Sequence, residues 1–274
     1  MLCQRQRHIG TCGRDLMQPL TVSLLQTHTH WHEPKANREL FDTLLEQVPQ
    51  SAQLVVLPEM FSTGFTMASA EVAEAMDGPT VTWLRARAQT MQKVLCGSAV
   101  ICEEGQYFNR FLWATPAGDV LHYDKRHLFR MANEHDHYQA GQRRLVVELA
   151  GWRICLAVCY DLRFPVWLRN KDDYDILLVV ANWPAVRQLA WQTLLRARAI
   201  ENQAYCVGVN IVGTDGNGLH YAGGSACYSH DGEVLSESVD KGCVVTQVLD
   251  WQSLNKARVA FPVALDADSF SLPI

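Results

Sequence analysis

The sequence predicts an α/β fold in which two mixed sheets stack face to face with helices outside. Three observations support this reading. Short apolar runs of strand length alternate with segments of helical periodicity. Several of these runs are apolar throughout, so both faces of each sheet need cover. Crossover units are mixed with hairpin successions, which points away from a pure eightfold barrel.

LTVSLLQ (20–26) reads as the first strand. In ANRELFDTLLEQV (36–48), Leu40, Phe41, Leu44, Leu45 and Val48 fall at helical spacing. QLVVLP (53–58) is a continuous apolar run of strand length, and VTWLRARAQTMQ (81–92) reads as a helix entered through Asp77, Gly78 and Pro79. VLCGSAVIC, YFNRFLWATP and VLHYD, parted by Glu-Gly and Ala-Gly-Asp turns, read as a meander. LVVELA, WRICLAVC and DILLVVAN are further strands. RQLAWQTLLRARAIENQA (187–204) is the clearest helix and leads into YCVGVNIVG, GSACYSHDGEVL and CVVTQVL. No repeat, low-complexity tract or linker divides the chain, so residues 17–274 read as one domain. The segment before Met17 is basic and polar, and Met17 stands just ahead of the first strand. Residues 1–16 therefore read as a disordered or artefactual extension.

Composition narrows the function classes. With 274 residues, 48% of them hydrophobic and 19% charged, the chain can bury a large core without staples. A net charge of -5 gives no footprint for nucleic acid. No apolar run reaches the length of a membrane span, and the N-terminus lacks the apolar stretch of a signal peptide. The nine cysteines are odd in number, lack CxxC spacing and often sit inside apolar runs. That reads as reduced thiols in a cytoplasmic protein. Eight can be core residues or bystanders, and the remaining question is whether one is a nucleophile.

Four reactive or polar side chains stand just after buried strands. VVLP ends at Glu59, VLHYD at Lys125, ICLAV at Cys159 and LLVVA at Asn182. Ligand sites in open α/β sheets form outside the carboxyl ends of strands. Cys159 is the candidate nucleophile. Its thiol needs a base or cation nearby, and Glu59 and Lys125 could supply both. Lys125 could also hold an oxyanion, together with the backbone N–H of Tyr160. Taken alone, each of these is ordinarily a core thiol, a turn carboxylate or a solvated ammonium. Their convergence at strand ends, and the words around them, reverse that reading.

Those words are LPEMFSTGF (57–65), YDKRHLF (123–129) and CYDLRFP (159–165), supported by ANWP (181–184), RARAIENQAY (196–205) and the G-S…G-E-V segment (224–234). Together they resemble the nitrilase superfamily, the carbon–nitrogen hydrolases, over about residues 20 to 260. The resemblance implies a four-layer α-β-β-α sandwich that forms homodimers, and a Glu59, Lys125, Cys159 triad. It further implies that Cys159 attacks an amide or nitrile carbon and that Glu59 moves the proton. A second carboxylate, best matched by Glu134 in FRMANEHDHY, would position these groups. Within the superfamily, FRMANEHDHYQAG and CYDLRFPVWLRN are closest to the omega-amidases, which act on 2-oxoglutaramate and similar omega-amides of dicarboxylates. Another aliphatic amide, an N-carbamoyl compound or a nitrile would suit the same chemistry. A non-catalytic metabolite-binding scaffold on this fold is the different class.

Phe65, Phe129, Tyr138, Asn182 and Trp183 are candidate substrate-pocket walls. A carboxylate-bearing substrate needs a cation or several N–H donors. Arg163 is a candidate, but beside Asp161 and near Asp172 and Asp173 it reads as a structural ion pair. His28, His30 and His32, like His135 and His137, lack ligand partners at zinc spacing and read as exposed loop histidines. GTDGNG (213–218) is succeeded by loop and strand rather than helix, so it reads as a turn or site rim and not a nucleotide loop. No cofactor and no metal are expected; the partner is a small-molecule amide.

Overall fold

The computed structural model describes residues 17–272. The predicted extension at 1–16 lies outside the described residues. The chain runs β1 (Leu20–Gln26), α1 (Pro34–Leu45), β2 (Leu54–Val56), α2 (Ser69–Val72), α3 (Pro79–Met91), β3 (Val94–Glu103), β4 (Gln106–Ala114) and β5 (Val120–Asp124). It continues through β6 (Val146–Leu149), β7 (Trp152–Val158), α4 (Pro165–Leu168), β8 (Ile176–Val180), α5 (Gln188–Asn202) and β9 (Tyr205–Val209). It closes with β10 (Val212–Thr214), β11 (His220–Tyr228), β12 (Val234–Val239), β13 (Cys243–Leu249) and α6 (Trp251–Ala260).

Two mixed sheets result. The first has the order β13-β1-β2-β3-β4-β5, with β1, β2 and β3 parallel and the other neighbours antiparallel. The second runs β10-β11-β9-β8-β7-β6, with β12 also paired to β11 and with β7, β8 and β9 parallel. Alternation along the strands sorts side chains into layers. Leu54, Val56, Val94 and Cys96 face inward and share one core with Ile154, Leu156 and Val158 of the second sheet. Val55, Leu95 and Ala99 face outward and pack against Phe41 and Leu45 of α1 and Val81, Leu84 and Ala88 of α3. Trp191, Leu195 and Ala199 of α5 and Trp251 and Leu254 of α6 join the core from the other side. The architecture is the four-layer α-β-β-α sandwich.

Several boundaries differ from the sequence reading. The strand expected over 53–58 shortens to Leu54–Val56, because Leu57 to Phe61 turns away beneath β3. That turn lies so close to Gly97 that a Cβ there would sit 2.9 Å from the Leu57 Cβ. The expected strand YCVGVNIVG breaks between β9 and β10, where Asn210 turns its side chain to the backbone of Trp183 and Gly223. GSACYSHDGEVL spans the turn between β11 and β12, and β11 begins earlier, at His220. The α6 helix was not expected; Asp250 caps it by accepting the Gln252 N–H at 2.9 Å.

The buried thiols make stability depend on pH. Burial pushes the thiols of Cys96, Cys155, Cys206 and Cys227 up, Cys155 to about 11 and Cys227 to about 12. In the unfolded chain these groups ionise near about 8.5. Above that pH the unfolded state binds fewer protons than the folded one, so stability falls as pH rises. The loss continues until the folded thiols ionise, near about 11 for Cys155. Each thiol contributes ~1.4 kcal/mol per pH unit within its window. The denaturant midpoint, measured under reductant, should therefore drop steeply between about pH 8.5 and 10; a flat midpoint would contradict this accounting.

Candidate active site

The site forms where the carboxyl ends of β2, β5, β7 and β8 meet. Glu59, Lys125, Cys159 and Asn182 each lie one to three residues beyond a strand end. Glu59 and Glu134 are 0% exposed and Lys125 is 1% exposed, so their charges interact away from water. The Lys125 ammonium donates to Glu59 Oε1 at 2.9 Å and to Glu134 Oε1 at 3.0 Å. An ammonium has three donors, which leaves one for the cavity that Lys125 also lines. Burial opposes the Lys125 charge, but Glu134 and Glu59 outweigh it and hold the ammonium well above its ordinary value. Burial and the Glu59 charge raise Glu134, against the pull of Lys125 and of the Phe129 N–H, which it accepts at 2.6 Å.

Asn109 was missed by sequence reasoning. Its amide donates to Glu59 Oε1 at 2.8 Å and to Glu134 Oε1 at 3.3 Å, while its oxygen accepts from Ser98 at 2.8 Å. It thus spaces the two carboxylates. The one sequence signal was a polar pair, Asn109 and Arg110, inside an otherwise apolar strand. Asn182 fixes the other side of Glu59: its backbone N–H reaches Oε2 at 2.8 Å and its amide donates to the Glu59 carbonyl at 2.6 Å.

Cys159 opens a 3-10 turn directly after β7 with φ of 43°, a left-handed conformation that a non-glycine residue holds only under constraint. The constraint is Asp161, which is 0% exposed. Its carboxylate accepts the Val158 N–H at 3.0 Å, the Tyr123 hydroxyl at 2.7 Å, and the backbone N–H and ring Nδ1 of His127 at 2.9 and 2.8 Å. One buried carboxylate therefore ties the Cys159 turn to both flanks of Lys125. The Sγ lies 3.9 Å from the Asn182 carbonyl. Burial and the nearby Glu59 carboxylate push the Cys159 thiol well up, against the pull of Lys125, so it rests protonated. The backbone N–H of Tyr160 has no protein acceptor among the described residues.

Above these groups opens a cavity of about 470 Å³, with Cys159, Lys125 and Tyr160 in its lining. Phe65, Phe129, Asn182 and Trp183 line it as well. Tyr138 does not. It is buried behind the wall with Met60 and Val100, its hydroxyl donating to the Thr66 carbonyl at 2.6 Å. Its apolar ring fits that inner layer, and its one polar atom is satisfied there. The expected ion pair of Arg163 is also absent. Asp161 is fully occupied, and Asp172 and Asp173 pair with Arg153 and Arg144. Arg163 instead stacks on Trp183, 4.9 Å from the ring centre, and lines the cavity. His32, expected as an exposed loop histidine, stacks on Trp31 at 4.5 Å and also lines the cavity, whereas His28, His30, His135 and His137 are exposed. The 213–218 loop contributes Asp215 and Asn217 to the rim.

Comparison with known proteins gives concordant findings. A family model for carbon-nitrogen hydrolase matches residues 21–258. Omega-amidase YafV of Escherichia coli (strain K12) is 48% identical over 257 residues, which cover 93% of this chain and 100% of that protein. The 2-oxoglutaramate amidase of Bacillus subtilis (strain 168) is 30% identical over 248 residues, covering 89% of this chain and 95% of that protein. The crystal structure of XC1258 from Xanthomonas campestris, a CN-hydrolase superfamily protein with an arsenic adduct in its active site, superposes with a TM-score of 0.92. It shares 49% identity and covers 94% of this chain and 100% of that one.

Proposed function

The chain belongs to the carbon–nitrogen hydrolase family and hydrolyses amides, and from that premise we propose that it is an omega-amidase with Cys159 as nucleophile. The substrate class is a short omega-amide of a dicarboxylate, 2-oxoglutaramate first among them. The observation that supports this most is the buried Glu59, Lys125 and Glu134 set beside a protonated Cys159 in the cavity lining.

Those positions support the following steps. Glu59 takes the thiol proton as Cys159 Sγ attacks the amide carbon. The carbon–sulfur bond forms and the carbonyl π pair moves onto oxygen, held by the free Lys125 N–H and the Tyr160 N–H. Glu59 returns the proton to nitrogen, the C–N bond breaks and ammonia leaves. Water then attacks the acyl-thioester while Glu59 takes its proton, and collapse breaks the C–S bond. Glu59 reprotonates the thiolate, leaving the acid. Glu134 and Asn109 position Lys125 and Glu59. Arg163, with no carboxylate partner among the described residues, receives the substrate carboxylate.

A panel of 2-oxoglutaramate, succinamate, glutamine and a simple nitrile tests the substrate class through ammonia release. The two carboxylate-bearing amides without an ammonium should turn over fastest. Preference for the nitrile, or release from none of the four, would overturn the omega-amidase reading. We further propose a homodimer, supported by exposed apolar side chains such as Leu189 on α5 and Val259 and Phe261 at the end of α6. Sedimentation would check it. Among the described residues no helix is long and apolar enough to cross a membrane. The seven described cysteines are all free, which supports a reducing compartment such as the cytoplasm.

A further inference from the structure

The cavity holds a second guanidinium that the mechanism leaves unused. Arg187 precedes α5, lines the cavity half-buried and lies 5.4 Å from the centre of the Phe129 ring. Its backbone carbonyl accepts the Trp183 indole N–H at 2.9 Å, which fixes its turn against the ring on which Arg163 stacks. Neither arginine pairs with a carboxylate among the described residues. The one acidic residue in the lining, Asp215, already accepts the Tyr221 hydroxyl and the N–H groups of Asn217 and Leu219, each at 2.9 Å. Both guanidiniums line the same cavity without a carboxylate partner, so an anion bound there is attracted by each. A cation on the ligand is repelled by each instead.

We propose that Arg187 is a specificity-determining residue that, with Arg163, selects omega-amides whose far end is purely anionic and rejects those carrying an ammonium there. The inference rests on the amidase reading above and deepens it. The site then separates 2-oxo acid and plain dicarboxylate amides from amino-acid amides by charge, since the two classes differ little in size. Two guanidiniums from different elements suit a carboxylate approached from two sides.

The test compares wild type, Arg187→Met and Arg187→Lys on succinamate, glutamine and butyramide, with kcat and KM taken from ammonia release. Arg187→Met should lower the kcat/KM ratio of succinamate to butyramide at least tenfold, mainly through a higher KM for succinamate. The succinamate-to-glutamine ratio should fall as well, and Arg187→Lys should recover part of both. A merely structural role would slow all three amides together and leave the ratios unchanged, which would overturn the proposal, as would an unaltered succinamate KM. If wild type releases ammonia from none of the three and none from 2-oxoglutaramate, the amidase reading itself fails.

Discussion

Cys159→Ala is expected to reduce ammonia release at least about 10⁴-fold, because loss of a covalent nucleophile leaves only binding and oxyanion stabilisation. The fold should survive. The change removes one sulfur atom at the cavity wall, and alanine meets the same positive φ that cysteine already adopts. Denaturation midpoints within about 1 kcal/mol of wild type are expected. The variant should still bind 2-oxoglutaramate by calorimetry, since Arg163 and the aromatic walls are untouched. Cys159→Ser should be nearly as inactive: a hydroxyl is a weaker acid than the thiol, and Glu59 would have to remove a more tightly held proton. Retention of more than a few per cent of wild-type kcat by Cys159→Ala would remove Cys159 from the chemistry.

Lys125→Met should damage both activity and stability. Two fully buried carboxylates, Glu59 and Glu134, would keep only the neutral amide of Asn109 between them. Removing one partner of a buried charge set costs about 3–5 kcal/mol. The remaining carboxylates can lessen that cost by holding a proton. A carboxyl whose folded pKa is raised binds its proton where the unfolded chain has released it, so the variant loses stability as pH rises. Its melting temperature should fall further below wild type as the pH climbs past the ordinary carboxylate range. The rate should drop about 10²–10³-fold through kcat, the usual effect of deleting an oxyanion donor. A variant with wild-type stability and an altered KM alone would mean that Lys125 neither neutralises the pair nor meets the oxyanion.

Much of this site was legible because its chemistry sits at strand ends. Apolar runs mark β2, β7 and β8, and the meander of hairpins marks β5; a reactive or polar residue follows each of the four. The stacking of the two sheets then brings Glu59, Lys125, Cys159 and Asn182 together. Glu134 was found through its sequence neighbourhood, because nothing in the 3-10 turn that carries it has a period to read. Asn109 was missed because it lies within a strand, where a polar residue ordinarily faces water. Here the inward face at that level is the site itself.

Arg163 shows a different limit. Three aspartates lie near it in sequence, yet Asp161 is claimed by Tyr123, His127 and Val158, all fixed by tertiary structure. Sequence proximity does not say which cation an acid will meet. Tyr138 errs the other way: an aromatic near candidate site residues can face the core rather than the cavity, and its single hydroxyl finds Thr66 there. The break at Asn210 and the early start of β11 depend on side chains caught between loops, which local propensity does not encode.

The central claim is that Cys159 carries the acyl group between the two halves of the reaction. Acid-quenching a single turnover of 2-oxoglutaramate and mapping the protein by mass spectrometry tests it directly. The predicted result is a transient adduct on the Cys159 peptide, equal in mass to the substrate less ammonia, that appears with the ammonia and decays as the acid forms. An adduct on another residue, or ammonia and acid rising together with no adduct at any time, would contradict it.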